Sequence, residues 1–358
     1  MLGARTRRSH TAENLMTIEE NVPLSMVTTF RTGGPARFLI TLDDVREIPD
    51  AVLVAEKEKL PIIPLGGGSN ILAPDVGVPA VFIRLQTHRV SVEEKKEIAQ
   101  VTSDAGVTWD TLVARAVQKG WWGIENLSAI PGTVGAAAVQ NIGAYGAALS
   151  DTVHTVDVYD IRDRVFKTFP ASECCFGYRT SIFKQDTDRY IVTALVFHLS
   201  KEARPNLSYK DLATRFAGQN DVSLADIREA VIAIRQGKFP PLSQFGTAGS
   251  FFLNPIITSA DSVKIKERFP GMPLFPLPEG GVKVPLAWIL DHVLNLKGRR
   301  EGKAFLWEQQ PLVIATEYGA AEHEIVALAQ SVAHEVFEKT EIQIIPEVRI
   351  LRENIISH

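Results

Sequence analysis

The residues able to do chemistry in this chain fall into a few short runs. The densest is Pro64 to Leu72, PLGGGSNIL, where Gly66, Gly67 and Gly68 follow an apolar run and precede Ser69 and Asn70. Serial glycines admit positive φ and let a ligand come close to the main chain. Successive N–H groups in such a turn form a nest for anionic oxygens. The same run also reads as a tight turn closing a strand. It is neither GxGxxG nor a P-loop, because no Gly-Lys-Ser/Thr follows. The residues alone therefore leave both a diphosphate ligand and a plain turn open.

Four other runs combine small, polar and aromatic residues. Ile130-Pro-Gly-Thr-Val-Gly-Ala is followed by Asn141-Ile-Gly-Ala-Tyr-Gly; Tyr178-Arg-Thr-Ser-Ile-Phe-Lys and Ala248-Gly-Ser-Phe-Phe-Leu-Asn-Pro come later; Pro346-Glu-Val-Arg lies near the end. Each has a plain alternative. Arg179 could be a surface cation, and Ser250 could cap the next element. Glu347 and Arg349 share a strand face, since strand side chains alternate, and could form a structural ion pair. Buried, such a pair would need further partners to offset desolvation.

The elements that must position these runs can be read from periodicity. Phe38–Ile40, Pro61–Leu65 and Val81–Leu85 read as strands around a helix bearing Val45, Ile48, Val52 and Ala55, with Asp43 or Asp44 as N-cap. A helix is expected over Trp109–Lys119, between Thr108 and the stop Gly120. The stretch 124–149 has Glu125 as its single charge; rich in Gly, it reads as a poor helix and a poor strand. Buried irregular backbone must find polar partners, so this stretch is expected to wrap a ligand. Strands resume at Val153–Tyr159 and Tyr190–Leu199. Helices follow over Asp226–Gln236, Ala287–Asn295 and Glu322–Lys339, and a strand-like run over Gln343–Leu351 is broken by Pro346.

Composition bounds the rest. The 358 residues are 45% hydrophobic and 22% charged, ample for a core and for two or three domains. A net charge of −4 gives no basic field and argues against nucleic acid as a partner. Cys174 and Cys175 are adjacent and point to a reducing compartment. No apolar run approaches the ~20 residues of a membrane span. Arg5, Arg7 and Arg8 lack a following apolar h-region, so residues 1–20 are expected to be a disordered extension, with Met1 or Met16 as the start.

In this order and with these separations, PLGGGSNIL, IPGTVGAAAVQNIGAYG, YRTSIFK, AGSFFLNP and PEVR resemble the UDP-N-acetylenolpyruvoylglucosamine reductase family, over roughly Val22 to Arg352. The longer, type I members are the nearer match. The resemblance implies an α+β fold: a two-subdomain FAD-binding unit of the vanillyl-alcohol-oxidase (PCMH) type, plus a C-terminal α+β substrate-binding domain. The implied domains are 21–87 joined by 343–358, then 88–236, then 237–342. It implies non-covalent FAD, NADPH as co-substrate and UDP-N-acetylglucosamine enolpyruvate as substrate, reduced to UDP-N-acetylmuramate for peptidoglycan by a cytoplasmic monomer.

Residue by residue, the resemblance places Gly66, Gly67, Gly68, Ser69 and Asn70 on the FAD pyrophosphate. Ile130, Pro131, Gly132, Gly135 and Ala136 line the cofactor, with Asn141, Ala144, Tyr145 and Arg349 nearby, and Thr32 of TFRTGG close to the flavin. Arg179 and Glu347 flank the substrate carboxylate, and Ser250 gives the proton to C2. Glu347 is expected to act as a protonated acid, with its pKa raised. Tyr178, Tyr209, Lys238, Asn254 and His292 are implied in substrate binding, Tyr209 on a mobile loop. Two departures from the family pattern are Leu253, where Lys is usual, and His292, where an amide or carboxylate is usual. Two rival readings have distinct signatures. An oxidase of the same superfamily often attaches FAD through His or Cys, and neither lies between Pro64 and Leu72. A non-catalytic flavin- or nucleotide-binding protein would have to lack the Ser250, Arg179 and Glu347 set.

Overall fold

Residues near the start build a sheet around one crossover helix. The computed structural model describes residues 6–8, 16–277 and 280–352. In the first sheet, strand Pro35–Leu42 pairs antiparallel with Thr17–Pro23 and parallel with Val78–Leu85, which in turn pairs parallel with Ile62–Pro64. The helix Ile48–Glu58 buries Ile48, Ala51, Val52 and Ala55, the i, i+3, i+4, i+7 stripe of a core-facing helix. A 3₁₀ turn, Val45–Glu47, precedes it, and Asp44 accepts from the Arg46 N–H at 2.9 Å. Lys59, left-handed at φ 56°, ends the helix by donating to Ala55 and Glu56 carbonyls. Thr17–Pro23 is a strand, which corrects the expectation that disorder extends to residue 20. Thr6–Arg8 pairs against it, and residues 1–5 and 9–15 lie outside the described residues.

The second sheet is antiparallel throughout. Its order is Val165–Pro170, Val153–Asp160, Tyr190–Ser200, Ile98–Asp104, Val90–Glu94. Trp109, fully buried at the start of helix Trp109–Gln118, donates its indole N–H to Leu127 O at 2.9 Å. The low-charge stretch is more regular than expected. Val134–Gln140 is a helix whose cap, Thr133, accepts from the Ala136 N–H, and a small hairpin pairs Gly143–Ala144 with Ala147–Ala148. Three alanines supply strong helix propensity. Gly135 is needed for space, since a Cβ there would meet Ala105 Cβ at 2.7 Å. Helix Leu224–Lys238 starts at a Ser223/Asp226 capping box and buries Ile227, Ala230 and Val231 with Trp122, Tyr145 and Leu212.

The third sheet runs Gly246–Ser250, Gln310–Thr316, Ala304–Trp307, Arg300–Glu301, all antiparallel, with the helix Glu322–Thr340 against it. Its core reaches back to the first residues of the chain. Phe30 meets Phe251 edge-to-face with centroids 6.3 Å apart. Thr247 N–H donates to Thr29 O at 3.0 Å, and Thr29 Oγ1 donates to Thr247 O at 2.6 Å. The expected helix near Ala287–Asn295 is a short α segment, Leu286–Trp288, running into a π turn, Ile289–Val293. Of the run Gln343–Leu351, Arg349–Ile350 is a strand, parallel to Ile71–Leu72. No described helix is long and apolar enough to cross a membrane.

Candidate active site

Loops, helix ends and the strand Gly246–Ser250 line a cleft of about 1390 Å³, larger than the ~300–1,000 Å³ of ordinary small-ligand pockets. One wall is built from the two glycine runs. Gly68 sits at φ +63°, where a Cβ would come within 2.0 Å of Val27 O; its own carbonyl accepts from the Thr29 N–H at 3.1 Å. A Cβ on Gly67 would lie 3.0 Å from Gly132 Cα, and one on Gly66 2.8 Å from Ala136 Cβ. Ser69 Oγ closes the seam by donating to Pro131 O at 3.2 Å. The two loops thus meet main chain to main chain at Gly67 and Gly132, with only the small side chains of Ser69, Thr133 and Ala136 at the seam. Such a cradle fits a dinucleotide diphosphate, and Ser69, Asn70, Ile130, Pro131 and Ala136 line the cleft beside it. Gly66, Gly67, Gly68, Gly132 and Gly135 provide the close approach from behind that lining.

A second group of lining residues converges on Arg179. Asn141, left-handed at φ 41° at the end of helix Val134–Gln140, donates through Nδ2 to Gly177 O at 2.9 Å and accepts from the Ser150 N–H at 3.0 Å. Asn tolerates that conformation better than most residues. It anchors the loop carrying Tyr178 and Arg179. Arg179 is itself left-handed, at φ +56°. Its Nη2 donates to Gly143 O at 2.6 Å, and its Nε lies 2.9 Å from Glu347 Oε1. Glu347 is held by backbone: its N–H donates to Phe251 O at 2.8 Å and its carbonyl accepts from Asn70 Nδ2 at 3.1 Å. Burial pushes the Glu347 carboxyl up, and Arg179 and Lys184 oppose that shift without reversing it. The ion pair left open between Glu347 and Arg349 is thus made with Arg179 instead.

Ser250 ends the strand Gly246–Ser250. The register with Gln310–Thr316 shifts between Thr247 and Ser250, and Gly249 takes φ +77°. Such bulges re-aim side chains beside active sites. Ala248, Gly249 and Ser250 all line the cleft, together with Arg179 and Glu347. Asn254 accepts from the Leu286 N–H at 3.0 Å and approaches Tyr178 Oη at 3.4 Å. Two cations lie near the Tyr178 ring, with Lys283 Nζ 5.6 Å and the Arg179 guanidinium carbon 5.7 Å from its centroid.

At the cleft's other end Tyr145 and Tyr209 meet edge-to-face at 5.2 Å. Lys238 Nζ lies 5.9 and 5.8 Å from their centroids and is paired with Asp211. Ala144, Tyr145, Tyr209 and Lys238 line the cleft.

Three expected site residues are placed elsewhere. Thr32 is buried, and its hydroxyl has no hydrogen-bond partner among the described residues. Arg349 donates its backbone N–H to Asn70 O at 3.0 Å; it is not among the residues lining the cleft, and burial lowers its guanidinium pKa. His292 stacks on Trp288, centroids 5.0 Å apart and 6° between planes, and is also outside the lining. Its exposed ring leans towards Asp291 at 3.7 Å.

The structure adds Arg235, which lines the cleft, donates Nε to Ala129 O at 3.1 Å and has its pKa lowered by burial. A signal for it was present: Arg228 stands two turns earlier on the same helix face, forking Asp110 at 2.7 and 2.8 Å. Lys283 and Gln310 also line the cleft, and no motif spacing marked them.

Two family models match the chain: an FAD binding domain over residues 36–168, and the C-terminal domain of UDP-N-acetylenolpyruvoylglucosamine reductase over residues 240–351. With the glycine cradle and cleft described above, these define an FAD-binding α+β flavoprotein of the vanillyl-alcohol-oxidase type with an added C-terminal domain. The UDP-N-acetylenolpyruvoylglucosamine reductase of Ralstonia nicotianae is 36% identical over 337 residues, covering 92% of this chain and 98% of that protein. That of Flavobacterium johnsoniae is 36% identical over 341 residues, covering 94% and 100%. The crystal structure of the Thermus caldophilus enzyme superposes with a TM-score of 0.67 at 25% identity, over 94% of this chain and 100% of that one. The chain belongs to the UDP-N-acetylenolpyruvoylglucosamine reductase family.

Proposed function

We propose that this cleft reduces UDP-N-acetylglucosamine enolpyruvate to UDP-N-acetylmuramate, with NADPH as reductant and non-covalent FAD as the carrier, for peptidoglycan precursor synthesis. The observation that carries the reading is the meeting of Arg179, Glu347 and Ser250 in one cleft, with Glu347 joined to the glycine cradle through Asn70. FAD, when bound, supplies hydride transfer from NADPH to the enolpyruvyl double bond. Gly66 to Asn70 and Ile130 to Ala136 hold its diphosphate side, and Asn141, Ala144 and Tyr145 are assigned to it further along the cleft.

The protein's own tasks follow from the substrate's chemistry. Hydride arriving at C3 leaves negative charge on C2 and its carboxylate, so the site must stabilise that charge and supply a proton. Arg179 binds the planar carboxylate, for which a guanidinium fork is suited. Glu347, its carboxyl pushed up by burial, is read as the protonated partner that donates a hydrogen bond to the same group. Ser250 delivers the proton to C2; a hydroxyl of ordinary acidity serves towards a strongly basic carbon held in contact. Tyr209, Lys238, Asn254 and Tyr178 are assigned to the UDP moiety, and the place of His292 outside the lining argues against it as a ligand.

Residues 21–87 with 343–358, and 88–236, are taken as the two FAD-binding subdomains, and 237–342 as the substrate domain. The second and third sheets fall within 88–236 and 237–342, which supports the division there, while the first sheet starts ahead of residue 21 with Thr17–Pro23. A monomer and the cytoplasm are the state and the compartment this reading implies. The test is spectroscopic. The purified protein should carry a yellow flavin band that bleaches with NADPH and returns on addition of UDP-N-acetylglucosamine enolpyruvate. Return with oxygen but not with that substrate would favour an oxidase.

A further inference from the structure

We propose that Lys184 is a positioning residue for the reaction, fixing Arg179 from behind and adding a second positive charge to the surroundings of Glu347. The inference rests on the reading of the site given above. Lysine is rarely turned inward, yet Lys184 is only partly exposed, on the one-turn helix Ile182–Gln185. Its Nζ donates to Arg179 O at 3.0 Å and to Gln140 Oε1 at 2.7 Å. The turn that carries it is locked by Ser181, fully buried, whose hydroxyl donates to Val139 O at 2.8 Å and accepts from the Lys184 N–H at 3.3 Å.

Two consequences follow from those contacts. Arg179 holds a left-handed backbone that a β-carbon disfavours. The ammonium grips the carbonyl of that same residue, so it stabilises the conformation that aims the guanidinium at Glu347. Gln140 ends the helix whose first turn, at Ala136, backs onto Gly66. Lys184 therefore ties the cofactor side of the cleft to the carboxylate-binding side. It does not line the cleft itself, so it acts through Arg179 and Glu347.

The charged groups acting on Glu347 are Arg179 and Lys184, and the strand bearing Ser250 adds no charge there. Burial lowers the Lys184 ammonium pKa, and Glu347 opposes that shift. Removing the ammonium leaves Arg179 alone against the burial of Glu347, so the carboxyl must rise further. A protonated Glu347 then persists to higher pH.

The experiment uses the FAD-loaded holoenzyme. It is reduced with NADPH, then mixed with UDP-N-acetylglucosamine enolpyruvate across pH, for wild type, Lys184→Met, Lys184→Gln and Lys184→Arg. We expect Lys184→Met and Lys184→Gln to slow flavin reoxidation by about tenfold or more and to move its alkaline limb upward by about one pH unit. Lys184→Arg, which keeps the charge, should return the limb to the wild-type position. An unmoved limb in a folded, flavin-loaded Lys184→Gln enzyme would overturn the proposal, as would equal slowing of both half-reactions. Failure of the wild-type enzyme to reoxidise with this substrate is a separate result, and it would overturn the reaction instead.

Discussion

Arg179 Nε stands 2.9 Å from Glu347 Oε1, with the two residues drawn from different sheets' surroundings and joined nowhere in the local sequence. The contact puts a guanidinium against a carboxyl that burial keeps protonated more readily than usual. It makes the site bifunctional: one group to hold negative charge, the other to share a proton with it.

That raised carboxyl has a sign in stability. The folded state holds the Glu347 proton more tightly than the unfolded chain, whose carboxyl titrates near 4.5. Its contribution is full below that value and is lost as pH rises through the folded pKa. Thermal melts of wild type and Glu347→Gln from pH 4.5 to 8 should therefore diverge, the wild type losing relative Tm as pH rises. Parallel curves would mean that Glu347 is not perturbed.

The glycine cradle makes a graded prediction. Gly68→Ala meets both a left-handed backbone and Val27 O, and Gly67→Ala meets Gly132 Cα. Both should purify with little FAD, Gly68→Ala also with a lowered Tm. Gly120→Ala has φ +74° but open space around its Cβ. It should cost only the left-handed penalty, about 1–2 kcal/mol, and keep its flavin. Absorbance ratios of flavin to protein decide the ranking.

Lys238 is the cation beside the Tyr145 and Tyr209 rings. Lys238→Met should remove a charge-assisted contact of about 1.5–3 kcal/mol and raise KM by about 10–100-fold. Steady-state kinetics with each substrate varied in turn will locate the loss. An unchanged KM for both would place Lys238 outside the binding site.

Much of this was legible in the sequence because ligand-cradling backbone leaves composition marks. PLGGGSNIL and IPGTVGA are the two loops that meet at Gly67 and Gly132. The helix Val134–Gln140 was not foreseen, since glycines in the stretch argued against it; Thr133 as cap and Ala136 to Ala138 outweigh them. Period-two reasoning put Glu347 and Arg349 on one face but could not choose Glu347's partner, which is set by a loop far away in sequence. Lys184 lay in view within YRTSIFK, yet its role depends on the Arg179 carbonyl, which no side-chain pattern reports. His292 fell at an expected binding position, and the stack on Trp288 draws it aside.

The most direct test of the account separates the two half-reactions in Ser250→Ala by stopped-flow flavin absorbance. The variant should bleach with NADPH at near the wild-type rate, then recover about 10²–10³-fold more slowly with UDP-N-acetylglucosamine enolpyruvate, the usual cost of losing one such group. Recovery at the wild-type rate would contradict the assignment of Ser250 as the proton donor.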